Sequence, residues 1–183
     1  MALIGGMPKM INAARYSAVD LLRDGRPIEI RALRMNDRAD LLGAVGRTSA
    51  QSLYRRFFGA KREFSEKEIE FFVNVDFVNH VALVATVGEG KRTVIVGGGR
   101  YVIVQPGTAE VAFAVVDQYH GQGIGRALLR HLVAIARDAA LEKLVAEVLP
   151  DNIPMLKVFE KSGLRCTARL EGRVVQVTLR LSE

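Results

Sequence analysis

From Pro27 to Arg34 the segment PIEIRALR alternates apolar and polar positions, the period of a half-buried strand. The spacing then lengthens to that of helices. Asn36 or Asp37 can cap a helix through DRADLLGAVGR, and SLYRRFF, opening at Ser52, reads as a second helical piece. Ser65 begins SEKEIEFFVNV, with Glu68 at capping-box spacing and Ile69, Phe72 and Val73 on one face. From Val78 β-branched runs take over. VNHVALVATV and TVIVGGGRYVIV flank a turn at Gly88-Glu89-Gly90-Lys91, and Gly97-Gly98-Gly99 predicts a bulge or bend. Pro106-Gly107 turns the chain into the strand AEVAFAVV. The longest helix, GQGIGRALLRHLVAIARDAA, places Ile124, Leu128, Leu132, Ile135 and Ala139 on one face. LVAEVL reads as a buried strand. Asp151 can cap a helix to about Ser162 that Gly163 ends, and LRCTARL pairs with RVVQVTLRL across Glu171-Gly172.

The predicted order is β-α-α-α-β-β-β-α-β-α-β-β, an α/β chain of the mixed α+β kind. A mixed sheet with helices on both faces follows. Residues 1–24 lack a period and are expected as an N-terminal arm, with residues 25–183 as a single domain. Composition narrows the class further. At 183 residues, 49% hydrophobic and 25% charged, the chain can bury a core without staples. One cysteine, Cys166, excludes a disulfide framework and a Cys-rich zinc site. Three scattered histidines offer no metal site. No run approaches the roughly 18 apolar residues of a membrane span. No basic segment precedes an apolar one at the N-terminus, so no signal peptide and no membrane partner are expected, and the expected location is cytoplasmic.

The net charge of +6 suggests an anionic partner. The basic residues occur in pairs, such as Arg55-Arg56, Lys61-Arg62 and Lys91-Arg92, without long runs or interleaved aromatics. That favours a solvated basic surface over a nucleic-acid patch.

The segment Val111–Arg130 is the most informative. A strand ends at Val116, DQYH follows, and GQGIGRALL opens the long helix. Gly121, Gly123 and Gly125 permit positive φ and close backbone approach. Unpaired N–H groups of a first helical turn, with the helix dipole, make an anion site. The spacing G-x-G-x-G, with Leu128 in place of a third glycine, is not the dinucleotide fingerprint, and Gly90-Lys91-Arg92 is not a P-loop. A tight turn whose glycines serve sterics alone is the alternative. Arg126 weighs against it, because a cation in the first turn opposes the dipole by about 0.3–1 kcal/mol unless an anion is bound.

AEVAFAVVDQYHGQGIGRALL resembles the acyl-CoA-binding segment of the GNAT superfamily of N-acetyltransferases. That family's pattern is Arg or Gln, two residues, Gly, one residue, Gly or Ala, and here it falls on His120, Gly123 and Gly125. DNIPMLKVFEKSGL resembles the family's next segment. LRDGRPIEIRALRMND, SLYRRFFGAKREFSEKEIEFF, VDFVNHVALVA and EVLPDNIPMLKVF are similar to the bacterial protein-lysine acetyltransferase branch. The resemblance implies a splayed, mostly antiparallel mixed sheet, its strands parting after Val116 and Leu149. It implies acetyl-CoA as cosubstrate without a metal. Pantetheine would meet the backbone of Phe113, Val115 and Val116. Pyrophosphate would meet Gly121, Gln122, Gly123, Ile124, Gly125 and Arg126. Asn152, Met155 and Phe159 would line the pantetheine arm and thioester. Two positions depart from the family. His120 stands where Arg or Gln is usual, and Phe159 stands where many relatives carry a tyrosine that protonates the leaving thiolate.

Amine acylation needs a neutral nucleophile. A lysine of pKa ~10.4 is neutral in about one molecule in 2500 at pH 7, roughly 4.6 kcal/mol uphill. A positioned carboxylate or imidazole removes the proton. Glu110 is the lone acid of AEVAFAVV, points with Ala112 and Ala114, and matches the family's base. A solvated residue at a strand start is its alternative. Glu147 ranks second, as a base or as a partnered core carboxylate. His80, His120, His131 and Cys166 rank lower. Tyr54, Arg56 and Phe57 fall where relatives wall the acceptor cleft. The expected function is direct acetyl transfer to a protein lysine, as on an acyl-CoA synthetase. A small-amine acetyltransferase and a non-catalytic acyl-CoA-binding module are the alternatives; a nucleic-acid binder ranks behind both. A homodimer stays open.

Overall fold

The computed structural model describes residues 10–61 and 63–182. Among these, eight strands follow in chain order: β1 (Ser17–Leu21), β2 (Pro27–Ala32), β3 (His80–Glu89), β4 (Arg92–Gln105), β5 (Thr108–Val115), β6 (Lys143–Val148), β7 (Arg165–Glu171) and β8 (Val174–Arg180). The α-helices are α1 (Arg38–Gly46), α2 (Ala50–Phe57), α3 (Glu66–Val73), α4 (Ile124–Asp138) and α5 (Ile153–Glu160). The strands make one sheet in the order β1-β2-β3-β4-β5-β6-β8-β7, parallel only between β5 and β6. The mixed α/β architecture expected from the periodicity is the one observed. No helix among the described residues is long and apolar enough to cross a membrane.

β1 has no counterpart in the sequence reading. Within the stretch expected as an arm, Ser17–Leu21 pair with β2 as an edge strand. Its Val19 and Leu21 are 72% and 70% exposed, so no buried apolar face imposes a period. Side chains hold the strand to α4 instead. Asp20 pairs with Arg130 and accepts from His131 Nε2 at 2.8 Å, and the Tyr16 hydroxyl lies 2.6 Å from His131 Nδ1. The remainder of that stretch, residues 1–9, lies outside the described residues.

Three helix starts differ in detail. Ser49, not Ser52, caps α2, accepting the Ser52 N–H at 3.1 Å. Asn152, not Asp151, caps α5, accepting the Met155 N–H at 3.3 Å. Asp37 stands before α1, but its carboxylate takes the Arg31 guanidinium in a buried bidentate pair at 2.7 and 2.8 Å. In each case several capping residues lie close together, and tertiary partners choose among them. The Ser65–Glu68 capping box forms as predicted.

α4 covers one face of the sheet with Ile124, Leu128, Leu132 and Ile135 buried; Ala139, just past its end, is exposed. Gly97 and Gly99 let it settle there. A Cβ on Gly99 would stand 3.2 Å from Leu132 and 2.7 Å from the Phe113 ring of β5, and one on Gly97 would stand 3.0 Å from Ile124. α1, α2 and α3 lie over the opposite face. The register of β4 against β3 slips at Val96, next to the glycine run, a bulge of the kind that bends a strand. β5 and β6 pair only at Thr108–Glu110 against Lys143–Val145. Beyond that point β5 stays with β4 as far as Val115 and β6 stays with β8 as far as Val148, so the two part.

Candidate functional site

The gap between β5 and β6 has one open wall of backbone. The Val116 N–H donates to Val96 O at 2.9 Å, toward β4. Alternation then turns the N–H and C=O of Phe113 and Val115 toward the gap. The Val115 carbonyl accepts from His120 Nε2 at 2.9 Å. Val116 is engaged on both sides, since its carbonyl also accepts the Tyr119 N–H at 2.8 Å. The Phe113 ring turns into the core, with its centroid 5.9 Å from that of Phe159.

At the end of this gap lies the turn into α4. Gly121 and Gly123 adopt φ of 77° and 91°, a region that a side chain disfavours. Gly123 is the helix N-cap, and no side chain bonds the first turn. The N–H groups of Ile124, Gly125 and Arg126 therefore lack intrahelical acceptors. No acid stands in that turn. A Cβ at Gly121 or Gly123 would meet nothing within 4 Å, so the space before the glycines is open. The buried Gln122 Oε1 has no hydrogen-bond partner among the described residues. Unpaired donors, positive helix end and open space together fit a phosphate-bearing ligand. Gly125 lies where α4 meets α5; a Cβ there would stand at ordinary contact distance, 3.6 Å, from Val158.

α5 brings the far wall. Asn152 is occupied as its cap, Met155 is half-buried, and Phe159 is 2% exposed against Phe113. Phe159 is thus a core side chain with no proton to give.

Glu110 occupies the last rung before β5 and β6 part, between Val102 of β4 and Val145 of β6. Its side chain is exposed. Glu147 lies past the fork on β6, also exposed rather than in the core, and its carboxylate accepts from Gln176 Nε2 at 2.6 Å. On the Glu110 face, α1–α3 and the strands enclose a cavity of about 100 Å³. Leu53, Phe57, Phe64 and Phe72 make much of its wall, and Ala112 and Ala114 make its floor. Phe57 packs edge-on against Phe64 at 5.1 Å, whereas Tyr54 is 48% exposed.

Two guanidiniums enter this apolar wall, those of Arg56 and Arg100. Arg100 donates to His80 Nε2 at 2.9 Å and to Phe72 O at 3.3 Å. Burial, with Arg56 beside it, pushes its pKa down to about 9. His80 is buried and stacked on Phe71 at 4.9 Å. Burial and then Arg100 push it down to about 4, partly opposed by Asp76. It is neutral at pH 7, and the lone pair of its Nε2 is taken by Arg100. Arg56 lies over the Phe57 ring at 4.7 Å and has no side-chain hydrogen bond or ion pair among the described residues. Burial lowers its pKa, and Glu110 opposes the shift.

Asp117, just past β5, ties the two sides together. It accepts the Ser49 N–H and Oγ–H at 2.7 Å each and the Ser52 Oγ–H at 3.0 Å. Burial alone would raise its pKa, but these hydrogen bonds hold it below the usual value. The remaining candidates lie elsewhere. His131 anchors β1, and Cys166 sits on β7 with its thiol raised by burial and by Glu160. No group of three His, Cys, Asp or Glu residues among the described residues is placed to hold a metal. Arg100 and Asp117 went unrecognised in the sequence. A lone cation within GGGRYVIV was the available sign for Arg100.

The model of the Acetyltransferase (GNAT) family matches residues 47–164. The chain is 33% identical over 141 residues to Acetyltransferase PA5475 of Pseudomonas aeruginosa, covering 72% of this chain and 76% of that protein. It is 31% identical over 144 residues to Acetyltransferase Pat of Mycolicibacterium smegmatis, covering 78% of this chain but only 42% of that protein's length. Among solved structures, the GNAT domain of S. lividans PAT superposes with a TM-score of 0.82 at 34% identity, covering 90% of this chain and 96% of that one.

Proposed function

The chain belongs to the GNAT family of acetyltransferases, and on that footing we propose that it moves an acetyl group from acetyl-CoA directly to an amine, a protein lysine in the first instance. The observation that carries this reading is the position of Glu110. It stands at the fork of a split sheet whose open β5 edge leads to an uncapped helix N-terminus.

The α4 turn, Gly121 to Arg126, holds the pyrophosphate through backbone N–H groups. The β5 edge at Phe113 and Val115 pairs with the pantetheine amides. Asn152 and Met155 bound the arm from α5, with Phe159 packed behind them on Phe113. Acetyl-CoA supplies an activated thioester carbonyl: the amine nitrogen bonds to its carbon, the C–S bond breaks, and the electron pair leaves with sulfur. Glu110 takes the amine proton, directly or through water. A thiol with pKa near ~8.5 leaves without a dedicated acid, so Phe159 in place of a tyrosine is compatible with turnover. The protein-lysine acceptor rests on likeness to proteins named Pat. A small amine is the second reading, favoured by the aromatic wall of Phe57, Phe64 and Phe72.

The test is transfer of labelled acetyl-CoA to protein and small-amine panels, with wild type and Gly123→Asp side by side. Labelled product from wild type, and a higher acetyl-CoA KM in the variant, support the reading. Equal acetyl-CoA binding by a folded Gly123→Asp removes the site from this turn.

A further inference from the structure

Arg56 and Arg100 are unusual in what surrounds them. Both reach one largely apolar cavity, no acidic side chain among the described residues lines it, and Arg56 raises the electrostatic cost of Arg100. Both side chains are half-buried, and a charge partly withdrawn from water is costly unless it is paired. Arg100 is held by His80 and the Phe72 carbonyl, which fix its direction without neutralising it. Arg56 has no polar partner among the described residues, only the face of Phe57 at 4.7 Å. The acid that acts on it is Glu110, which lies outside the cavity lining.

An ordinary lysine side chain entering here would bring a third positive charge against two. A guest bearing an anion beside its amine removes that conflict. We infer that the acceptor of this enzyme carries a carboxylate close to its reacting amine, and that Arg56 and Arg100 bind that carboxylate. Guanidinium matches a carboxylate with paired N–H donors. The geometry fits. Arg100 faces Ala112 across the β4–β5 ladder, one same-face step of about 7 Å from Glu110. A carboxylate held at the arginines therefore leaves its neighbouring amine near Glu110. The aromatic and aliphatic walls accept the guest's apolar body.

The inference rests on the acetyl-transfer reading of the same site. The carboxylate has two sources: the α-carboxylate of a free apolar amino acid, or an acidic residue beside a lysine in a protein. The experiment compares matched acceptors with wild type, Arg56→Gln and Arg56→Lys. One arm pairs leucine and methionine with their amides. The other pairs a lysine peptide flanked by aspartates with the same peptide flanked by asparagines. In at least one arm the wild-type kcat/KM for the carboxylate acceptor is expected to exceed its neutral partner by 10-fold or more. The ratio falls to within about twofold of unity in Arg56→Gln and lies between in Arg56→Lys. The arm that discriminates identifies the source.

Ratios near unity in both arms of wild type overturn the proposal, as does a ratio that survives Arg56→Gln. If Arg56→Gln fails to fold, Arg56→Lys decides by the same ratio. If no amine is acetylated at all, calorimetric titration with the N-acetylated products of the same pairs decides. Tighter binding of the carboxylate products, lost in the variant, upholds anion recognition while the transfer reading falls. Equal binding, or none, overturns it.

Discussion

The two sides of this cleft are made of different material. On the proposed donor side the surface offered is backbone: the open edge of β5 at Phe113 and the Val115 N–H, and the N–H groups of Ile124, Gly125 and Arg126 behind two glycines at positive φ. On the proposed acceptor side it is side chains: Arg56 from α2, Arg100 from β4 and Glu110 from β5, set among the rings of α2 and α3. Backbone donors require little of a sequence beyond glycine at the right spacing, so many side chains are allowed around them. A site of converging side chains needs particular residues from distant parts of the chain. The donor side therefore suits a constant ligand, and the acceptor side is where specificity is set.

The difference is sharpest at Glu110, which is predicted to matter for chemistry and not for donor binding. A positioned general base contributes about 10²–10⁴-fold. Glu110→Gln keeps the side chain's size, so kcat near pH 7 is expected to fall by that factor while acetyl-CoA affinity stays within a few-fold. Rates in the variant should recover partly at alkaline pH, where more of the amine is already neutral. A pH series of kcat for both proteins measures this. Near wild-type kcat at pH 7 would remove Glu110 as the base and bring Glu147 or solvent forward.

This division also explains what could be read from the chain. The donor turn is local: strand, four residues, three glycines and helix all lie within Val111–Arg130, and its glycine spacing is visible. The order of elements from Pro27 onward followed from strand periods and turns. β1 did not, because an edge strand with Val19 and Leu21 in solvent shows no period. The acceptor side was legible only in pieces. Arg56 and Glu110 are 54 positions apart, and nothing in SLYRRFF says that Arg56 rather than Arg55 reaches the cavity. Asp117 could not be foreseen as the acceptor for Ser49 and Ser52, since that clamp joins segments 65 to 68 residues apart. Its role shows how close the two sides lie: it fastens the start of α2 to the end of β5.

On the acceptor side, acid stability should expose His80. His80 has a folded pKa of about 4, below its ordinary value of 6.5, so the unfolded chain binds the proton more readily. The stability it confers is complete above pH 6.5 and is lost as pH falls from there toward 4. The full difference corresponds to about 3 kcal/mol. Arg100, Phe71 and Asp76 surround the ring, and protonation would cost it the Arg100 hydrogen bond. Urea unfolding across this range should show a shallower acid decline for His80→Gln than for wild type. Parallel declines would mean that His80 titrates normally.

On the donor side, Gly123→Asp adds a carboxylate where phosphate is expected, at φ of 91°. Acetyl-CoA affinity should drop 10-fold or more. Gly123→Ala separates the two causes, because it carries the backbone strain, about 1–2 kcal/mol, without the charge. If the alanine variant binds as poorly as the aspartate one, conformation rather than charge governs the turn. In both variants the carboxylate preference at Arg56 should persist, since the acceptor wall is separate. Loss of that preference would show that the two sides are coupled.

Phe159 gives the smallest effect and the finest test, because it belongs to the donor side yet contributes neither backbone donors nor charge. It is 2% exposed and packs on Phe113, whose backbone forms the open edge. Phe159→Leu keeps an apolar side chain and removes part of its volume, at a cost of about 1 kcal/mol in stability. Phe113 should then be held less firmly, and turnover should fall a few-fold through poorer placement of the thioester. The shape of the kcat pH profile should not change, because no proton is exchanged at this position. Phe159→Tyr supplies the complementary measurement: it adds a phenol in a pocket that has managed without one. If the leaving thiolate needs no acid, the tyrosine variant gains no rate and bears only the desolvation of its hydroxyl. A rise in kcat in Phe159→Tyr, or a lost alkaline limb in Phe159→Leu, would show that proton delivery at this position limits the reaction. The donor side would then be chemical as well as structural, and the division between the two sides would fail there.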